Sequence, residues 1–296
     1  MNLNIWQIIA LGLLQGFTEL FPISSLGHTV IIPALFGWGD LVRNESFLPL
    51  IVALHLGTSV ALVAYFWRDW LQVVKVLFKS IKEGEVKRGT DEWVSWLIII
   101  GCIPAGLIGV FLESPLKQLF ASPLIAATFL VVNGSLLFLG DVLRKRAEGD
   151  AQGLSPKERE ARFRPLSSLT WKDAVVVGLG QSLALIPGIS RSGASMVAGL
   201  GVRLNYEDAA RFSFLLGTPL IGAAALLEVP QLRGQPLSTL ELVFVGMVLA
   251  GVAAYFSTKF LMKYFETGRL LPFAFYCWAA GLAALALFLT VFSGRG

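Results

Sequence analysis

The sequence predicts an all-α integral membrane protein with six full transmembrane helices and two re-entrant helical hairpins, arranged as an inverted-topology repeat. Three observations predict it. The 296 residues are 55% hydrophobic and only 15% charged, with a mean hydropathy of +0.70, whereas soluble domains carry about 25% charged residues. Six apolar stretches are long enough to cross roughly 30 Å of hydrocarbon as helices of about 20 residues. One phrase also occurs twice. Gln15–His28, QGFTELFPISSLGH, returns as Gln181–Ala194, QSLALIPGISRSGA, and Gly12, Gln15, Ile23, Ser24 and Gly27 fall on Gly178, Gln181, Ile189, Ser190 and Gly193 at a constant offset of 166.

The first apolar region, Asn4–Gly37, lacks the basic start and small-residue cleavage site of a signal peptide and contains Gln15 and Glu19, so it reads as mature sequence. Its middle is interrupted by FPISS at Phe21–Ser25. Proline removes a backbone donor there, and the serine that follows is a good N-cap for a new helix. Full spans are expected at Phe47–Trp67, Trp93–Leu112 and Pro123–Leu143. A second broken region, Trp171–Val202, is interrupted by IPGIS at Ile186–Ser190. Three more spans follow at Ala209–Val229, Leu240–Met262 and Leu271–Phe292. Each half of a broken region is short for a crossing, which favours hairpins that dip to the midplane and return, their broken backbone covered by protein.

Charge orients the spans. The connection from Arg68 to Glu92 carries six Lys/Arg and the stretch from Arg144 to Lys172 carries eight, so both are expected on the cytoplasmic side. The connections near Lys117 and Arg233 then lie outside, with the termini. Three spans separate the two copies of the phrase, and an odd number inverts one relative to the other. The chain thus reads as one membrane domain, 1–296, with repeats of about 1–143 and 171–296 joined by a polar cytoplasmic loop, 144–170. Within that loop SPKEREARFRP reads as a short surface helix capped by Ser155. The net charge of +4 is set by these loops, and no basic stripe interleaved with aromatics points to nucleic acid. Cys102 and Cys277 lie in apolar runs and read as free, packing thiols.

The breaks concentrate the polar chemistry. Gln15 and Glu19 are four apart and share a helix face, and a carboxylate at membrane depth marks a functional site by default. Ser24 and Ser25 open a helix, and His28 follows Ser25 by three, which suits a hydroxyl–imidazole pair acting as nucleophile and base. In the second copy Ser190, Arg191 and Ser192 follow Pro187–Gly188. The planar guanidinium of Arg191 matches phosphate oxygens, a half-helix start points N–H groups at anions, and Gly188 and Gly193 allow close approach. His55, with no second ligand at metal spacing, is assigned to helix packing. Arg211, Glu228 and the Tyr206–Asp208 stretch are assigned to the membrane borders.

These phrases resemble the bacitracin-resistance family of undecaprenyl-diphosphate phosphatases. The family's first motif is matched by Gln15, Glu19, Pro22, Ser24, Ser25, Gly27 and His28, and its second by Pro187, Gly188, Ser190, Arg191 and Ser192. Further similarity runs through Ala53–Ala61, Tyr65–Asp69 and Phe212–Pro219. Departures are Gln15 in place of an acid, Leu26 in place of a small hydroxyl residue, Ser195 in place of threonine, and Cys277 where arginine is frequent. The resemblance implies hydrolysis of undecaprenyl diphosphate to undecaprenyl phosphate and phosphate. Glu19, Ser25, His28 and Arg191 would be catalytic, with Ser25 as nucleophile and His28 as base, or the reverse. Gln15, Ser24, Gly188, Ser190, Ser192 and Ser195 would bind substrate. A divalent cation, Mg²⁺ or Ca²⁺, would be held by Glu19 and Gln15. The implied partners are a polyprenyl diphosphate lipid, the bilayer and, as an admissible assembly, a second copy of the chain. The implied location is the bacterial inner (cell) membrane with a site opening outward. The rivals are a polyprenyl-phosphate transporter, which shares the plan of broken helices around a midplane site but needs no nucleophile, and a non-catalytic lipid-binding scaffold.

Overall fold

The computed structural model describes residues 1, 3–112, 119, 122–149, 158 and 161–290. Among these the regular structure is entirely helical. Six helices are long and apolar enough to cross a membrane: α4 (Phe47–Tyr65), α6 (Asp91–Phe111), α7 (Pro123–Glu148), α10 (Tyr206–Glu228), α11 (Leu237–Phe265) and α12 (Leu271–Thr290). The chain is a multi-pass membrane protein.

The two broken regions are pairs of short helices. α1 (Ile5–Thr18) starts in a capping box formed by Asn4 and Gln7 and stops at the FPISS break. Its 14 residues reach only about 21 Å. α2 (Ser25–Leu35) then begins at an N-cap, Ser24, whose hydroxyl accepts from the Gly27 N–H at 3.1 Å. The second pair is α8 (Trp171–Ser182) and α9 (Arg191–Gly201), separated by a tight turn at Leu183–Leu185 and the IPGIS break. Each break holds one left-handed residue, Ser24 at φ 70° and Gly188 at φ 103°. For serine this conformation costs on the order of 1–3 kcal/mol and persists only where its surroundings hold it.

Small residues let the helices approach. A methyl group added at Gly12 of α1 would stand 2.7 Å from the Gly246 carbonyl oxygen of α11, and one at Gly178 of α8 would strike the Gly101 carbonyl of α6. Each short leading helix therefore packs closely on a span from the other half of the chain. α7 and α12 meet through Gly134 and Gly281 in the same manner. Between apolar helices in lipid, such close backbone packing supplies the attraction that water would otherwise provide. One apolar core, from Ile8 to Ala284, draws on both halves.

Two expectations need amendment. The first full span ends at Tyr65 rather than Trp67, and Trp67 opens a separate helix, α5 (Trp67–Glu83), in what the charges alone mark as a basic loop. The span from Pro123 continues past Leu143 to Glu148 because Asp141–Lys145 and Arg144–Glu148 ion pairs, at 3.1 and 2.8 Å, extend it in polar surroundings. Tyr206 and Glu228 are the end residues of α10 and are buried within the protein, where the Tyr206 hydroxyl donates to Asp141 at 2.6 Å. Arg211 pairs with Asp69. The expectations for Lys117 and for a helix capped by Ser155 lie outside the described residues. A very short helix, α3 (Gly39–Val42), lies between α2 and α4.

Candidate active site

The two breaks meet face to face. A methyl at Gly27 would lie 3.0 Å from the Gly188 Cα, while Gly188 itself is pressed against the α7 backbone at Ala126 and Leu130. The side chain that fixes them together is Asn133, fully buried in α7. Its Nδ2 donates to the Pro22 carbonyl of the first break at 3.0 Å, and its Oδ1 accepts from the Ser190 N–H of the second at 2.9 Å. Nδ2 also lies 3.3 Å from the Cys277 sulfur. A lone asparagine in an otherwise apolar span is the signal that could have singled it out. Asn133→Leu would strand a buried N–H and a buried carbonyl, each costing about 1–3 kcal/mol. The variant is expected to lose roughly 3 kcal/mol of stability, read as a lowered thermal midpoint of the purified protein. An unchanged midpoint would remove Asn133 from this role.

Glu19 is the hub of the polar cluster that results, and it is buried. Its Oε2 accepts from Gln15 Nε2 at 3.0 Å and from the Ser25 hydroxyl at 2.6 Å, and lies 3.1 Å from His55 Nε2. Its Oε1 accepts from Arg191 Nη2 at 3.0 Å. The carboxylate thus faces donors of four kinds, and the guanidinium offsets the cost of its charge at depth. Arg191 also donates from Nη1 to the Ser213 carbonyl at 3.2 Å, while its Nε is buried without a hydrogen-bond partner among the described residues. Gly217 of α10 makes room for it, since a methyl there would overlap the guanidinium.

The expected pairing of Ser25 with His28 is not what the fold provides. His28 Nδ1 donates to the Ser24 carbonyl at 2.7 Å and its Nε2 accepts from the Tyr276 hydroxyl at 2.8 Å. Both nitrogens are therefore engaged elsewhere. The imidazole near Ser25 belongs to His55, with Nε2 3.5 Å from the Ser25 oxygen and Nδ1 donating to the Ile51 carbonyl at 2.7 Å. His55 thus belongs to the site rather than to helix packing. Spacing along one helix pointed to His28, whereas the approach of α4 to the first break decides the matter.

A cavity of about 170 Å³ opens beside this cluster, and Glu19, Ser24, Ser25, His55, Ser190 and Arg191 form its polar wall. Its other wall is apolar, with Leu48 and Val52 from α4 and Leu220 and Ile221 from α10. Ser192, Ser195 and Gly188 do not line it. Ser195 is bound to the Arg191 carbonyl at 2.7 Å and the Ser213 hydroxyl at 2.5 Å, and Ser192 to the Ser190 hydroxyl at 3.0 Å, so both support α9. Gln15 touches the site through Glu19 alone, and its buried Oε1 has no hydrogen-bond partner among the described residues.

The model of the family described as bacitracin resistance protein BacA matches residues 8–283. The chain is 45% identical to undecaprenyl-diphosphatase 2 of Burkholderia thailandensis over 97% of its own length and 98% of that protein's. It is 43% identical to undecaprenyl-diphosphatase of Mycolicibacterium paratuberculosis, over 96% of this chain and 97% of the relative. Identity to undecaprenyl-diphosphatase of Granulibacter bethesdensis is 44%, with 96% and 97% covered.

Proposed function

The chain belongs to the bacitracin resistance protein BacA family, and from that membership we propose that it is an undecaprenyl-diphosphatase. It hydrolyses undecaprenyl diphosphate to undecaprenyl phosphate and inorganic phosphate, which recycles the lipid carrier of cell-wall synthesis and gives bacitracin resistance. The observation that carries this reading is the Ser25 hydroxyl donating to the Glu19 carboxylate at 2.6 Å on the wall of a cavity that also holds Arg191. A transporter needs anion binding but has no use for a hydroxyl aimed at a buried base.

In this mechanism the apolar wall takes the first isoprene units, and the Arg191 guanidinium, on the polar wall of the cavity, binds the phosphates. The Ser25 oxygen attacks the terminal phosphorus as its proton moves to Glu19 Oε2, with His55 Nε2 beside both atoms. The phosphoanhydride bond breaks and undecaprenyl phosphate departs. Water then attacks the phosphoserine, the same groups manage its proton, and inorganic phosphate and free Ser25 are regenerated. Arg191 stabilises charge on the equatorial oxygens in both steps.

The residues fit a divalent cation, Mg²⁺ or Ca²⁺. Glu19 offers a carboxylate, and Gln15 Oε1 is a hard oxygen acceptor buried without a hydrogen-bond partner among the described residues, the donor type that such ions prefer. The cation would neutralise diphosphate charge beside Glu19. Phosphate release from purified protein and undecaprenyl diphosphate is therefore expected to fall by at least about tenfold on chelation and to return with added cation. Glu19→Gln should be inactive and unresponsive to the metal. Metal-independent release by the wild type would sink the cation assignment, and no release under any condition would sink the enzymatic reading.

The two imidazoles should separate in the same assay. His55→Ala is expected to lower turnover about 10²-fold, the lower end for proton-transfer groups. His28→Ala, which frees only the Ser24 carbonyl and Tyr276, should cost less. The reverse ranking would give the assisting role beside Glu19 to His28 instead of His55.

We place the site in the bacterial inner membrane, opening outward, with the basic segments around α5 and after α7 on the cytoplasmic side. The halves are read as inverted-topology repeats. The crossed pairing of α1 with α11 and α8 with α6, at the equivalent glycines Gly12 and Gly178, supports that reading.

A further inference from the structure

Helix α5 has a surface that the phosphatase mechanism does not use. Trp67, Leu71, Val74, Phe78 and Ile81 are all exposed, with Phe78 and Ile81 at 73% and 72%. On a helix of 3.6 residues per turn these five fall within about 80° of arc. Arg68, Lys75 and Lys82, also exposed, fall within about 40° immediately beside them. The opposite face packs on the protein: Val73, Val76 and Ser80 turn inward, and the Ser80 hydroxyl accepts from Trp96 Nε1 of α6 at 3.0 Å. α5 therefore presents three stripes in order, one packed on the protein, one apolar and exposed, and one basic.

Its position decides what covers the apolar stripe. The membrane span α4 ends at Tyr65, two residues before α5 begins, and the span α6 returns on the far side of the connection. The helix thus starts at the edge of the hydrocarbon and carries too many charges to enter it. A helix with Trp, Leu and Phe on one side and Lys and Arg on its flank lies in the interface, its cations extending toward headgroups. Between two of those cations the surface is hollowed. A groove of about 430 Å³ is lined by Arg68, Leu71, Gln72, Lys75 and Val76. Arg68 and Lys75 stand two turns apart at its ends, Gln72 supplies an amide between them, and Leu71 and Val76 supply apolar wall. Arg68 is further held over the Trp67 ring at 5.2 Å. Lys79, by contrast, is occupied by Glu92 at 3.2 Å.

We propose that this groove is a binding site for the headgroup of an anionic phospholipid, with Arg68 and Lys75 on the phosphate and the acyl chains lying along the Leu71–Phe78 stripe. A guanidinium and an ammonium lining one groove, both on long side chains, suit the oxygens of a phosphodiester. Zwitterionic lipids fit less well, because their own cation would meet the same two charges. Such basic interfacial clusters gain a factor of roughly five in affinity per Lys or Arg on an anionic leaflet. The site is independent of the catalytic cavity, with which it shares no lining residue.

The test is native mass spectrometry of the purified full-length protein with phosphatidylglycerol or phosphatidylcholine of matched chains. Phosphatidylglycerol should be retained preferentially, and the preference should shrink as salt is raised. Arg68→Gln combined with Lys75→Gln should reduce it about 25-fold, and Lys75→Gln alone about fivefold. The charge-preserving pair Arg68→Lys and Lys75→Arg should keep most of it, and Lys87→Gln should change nothing. Phosphate release by all of these variants should equal that of wild type, which also reports that they fold. Equal retention of the two lipids would overturn the proposal. So would an unchanged preference in the double or the single variant, or displacement of phosphatidylglycerol by an equimolar amount of undecaprenyl phosphate, which would assign the groove to the carrier lipid instead.

Discussion

Ser25→Ala is expected to stop phosphate release, lowering turnover on the order of 10³-fold or more, while undecaprenyl diphosphate still binds. The hydroxyl stands 2.6 Å from a buried carboxylate and on the wall of the cavity, so in the proposed mechanism its loss removes the attacking atom and leaves Arg191 in place. Rapid quenching of the wild type should also trap phosphate on Ser25. Turnover by the alanine variant near the normal rate would exclude serine as nucleophile. A variant that binds substrate tightly without hydrolysing it would separate catalysis from recognition, which a transporter could not do at this residue.

Arg191→Lys is expected to cost roughly 10²-fold in kcat/KM and to raise KM, because the two ends of the guanidinium do separate tasks. Nη2 holds Glu19 and Nη1 holds the Ser213 carbonyl, at 3.0 and 3.2 Å, and the same side chain lines the cavity where substrate is proposed to bind. One ammonium cannot span those positions, so the lysine variant loses either the Glu19 contact or the phosphate contact. Gly217→Ala should reproduce part of the defect without touching any charge, since its methyl overlaps the guanidinium. Steady-state kinetics on both variants checks this. An Arg191→Lys enzyme with wild-type KM and kcat would show that only the charge matters.

The spans were legible because twenty apolar residues in a row have few alternatives, and the breaks because proline and glycine interrupt them twice at one offset. Glu19, Ser25 and Arg191 could be singled out since each is costly or reactive in lipid, and the fold brings them into one cluster. His55 and Asn133 could not be placed. Each is a lone polar residue in an apolar helix, and its meaning depends on which helix packs against the break. Ser25 and His28 show the converse. Their spacing is right, yet the left-handed Ser24 turns its carbonyl to His28 Nδ1, and no periodicity reveals that. Helix α5 was hidden for another reason: the charges that orient the chain also made an amphipathic helix look like a loop.

The partnership of Glu19 with Arg191 also sets a schedule for biosynthesis. The two residues are 172 positions apart, so a ribosome working at about 5–20 residues per second delivers the guanidinium roughly 9–34 s after the carboxylate. During that interval the first broken pair has neither its countercharge nor the α11 surface on which Gly12 and Gly16 pack. An acid and an open backbone have no stable place in hydrocarbon alone. The first broken pair therefore cannot reach its final packing until α9 and α11 have been made. Glu19 and Ser25 can meet as soon as the first broken pair folds, but Arg191 reaches them only after α9 has followed.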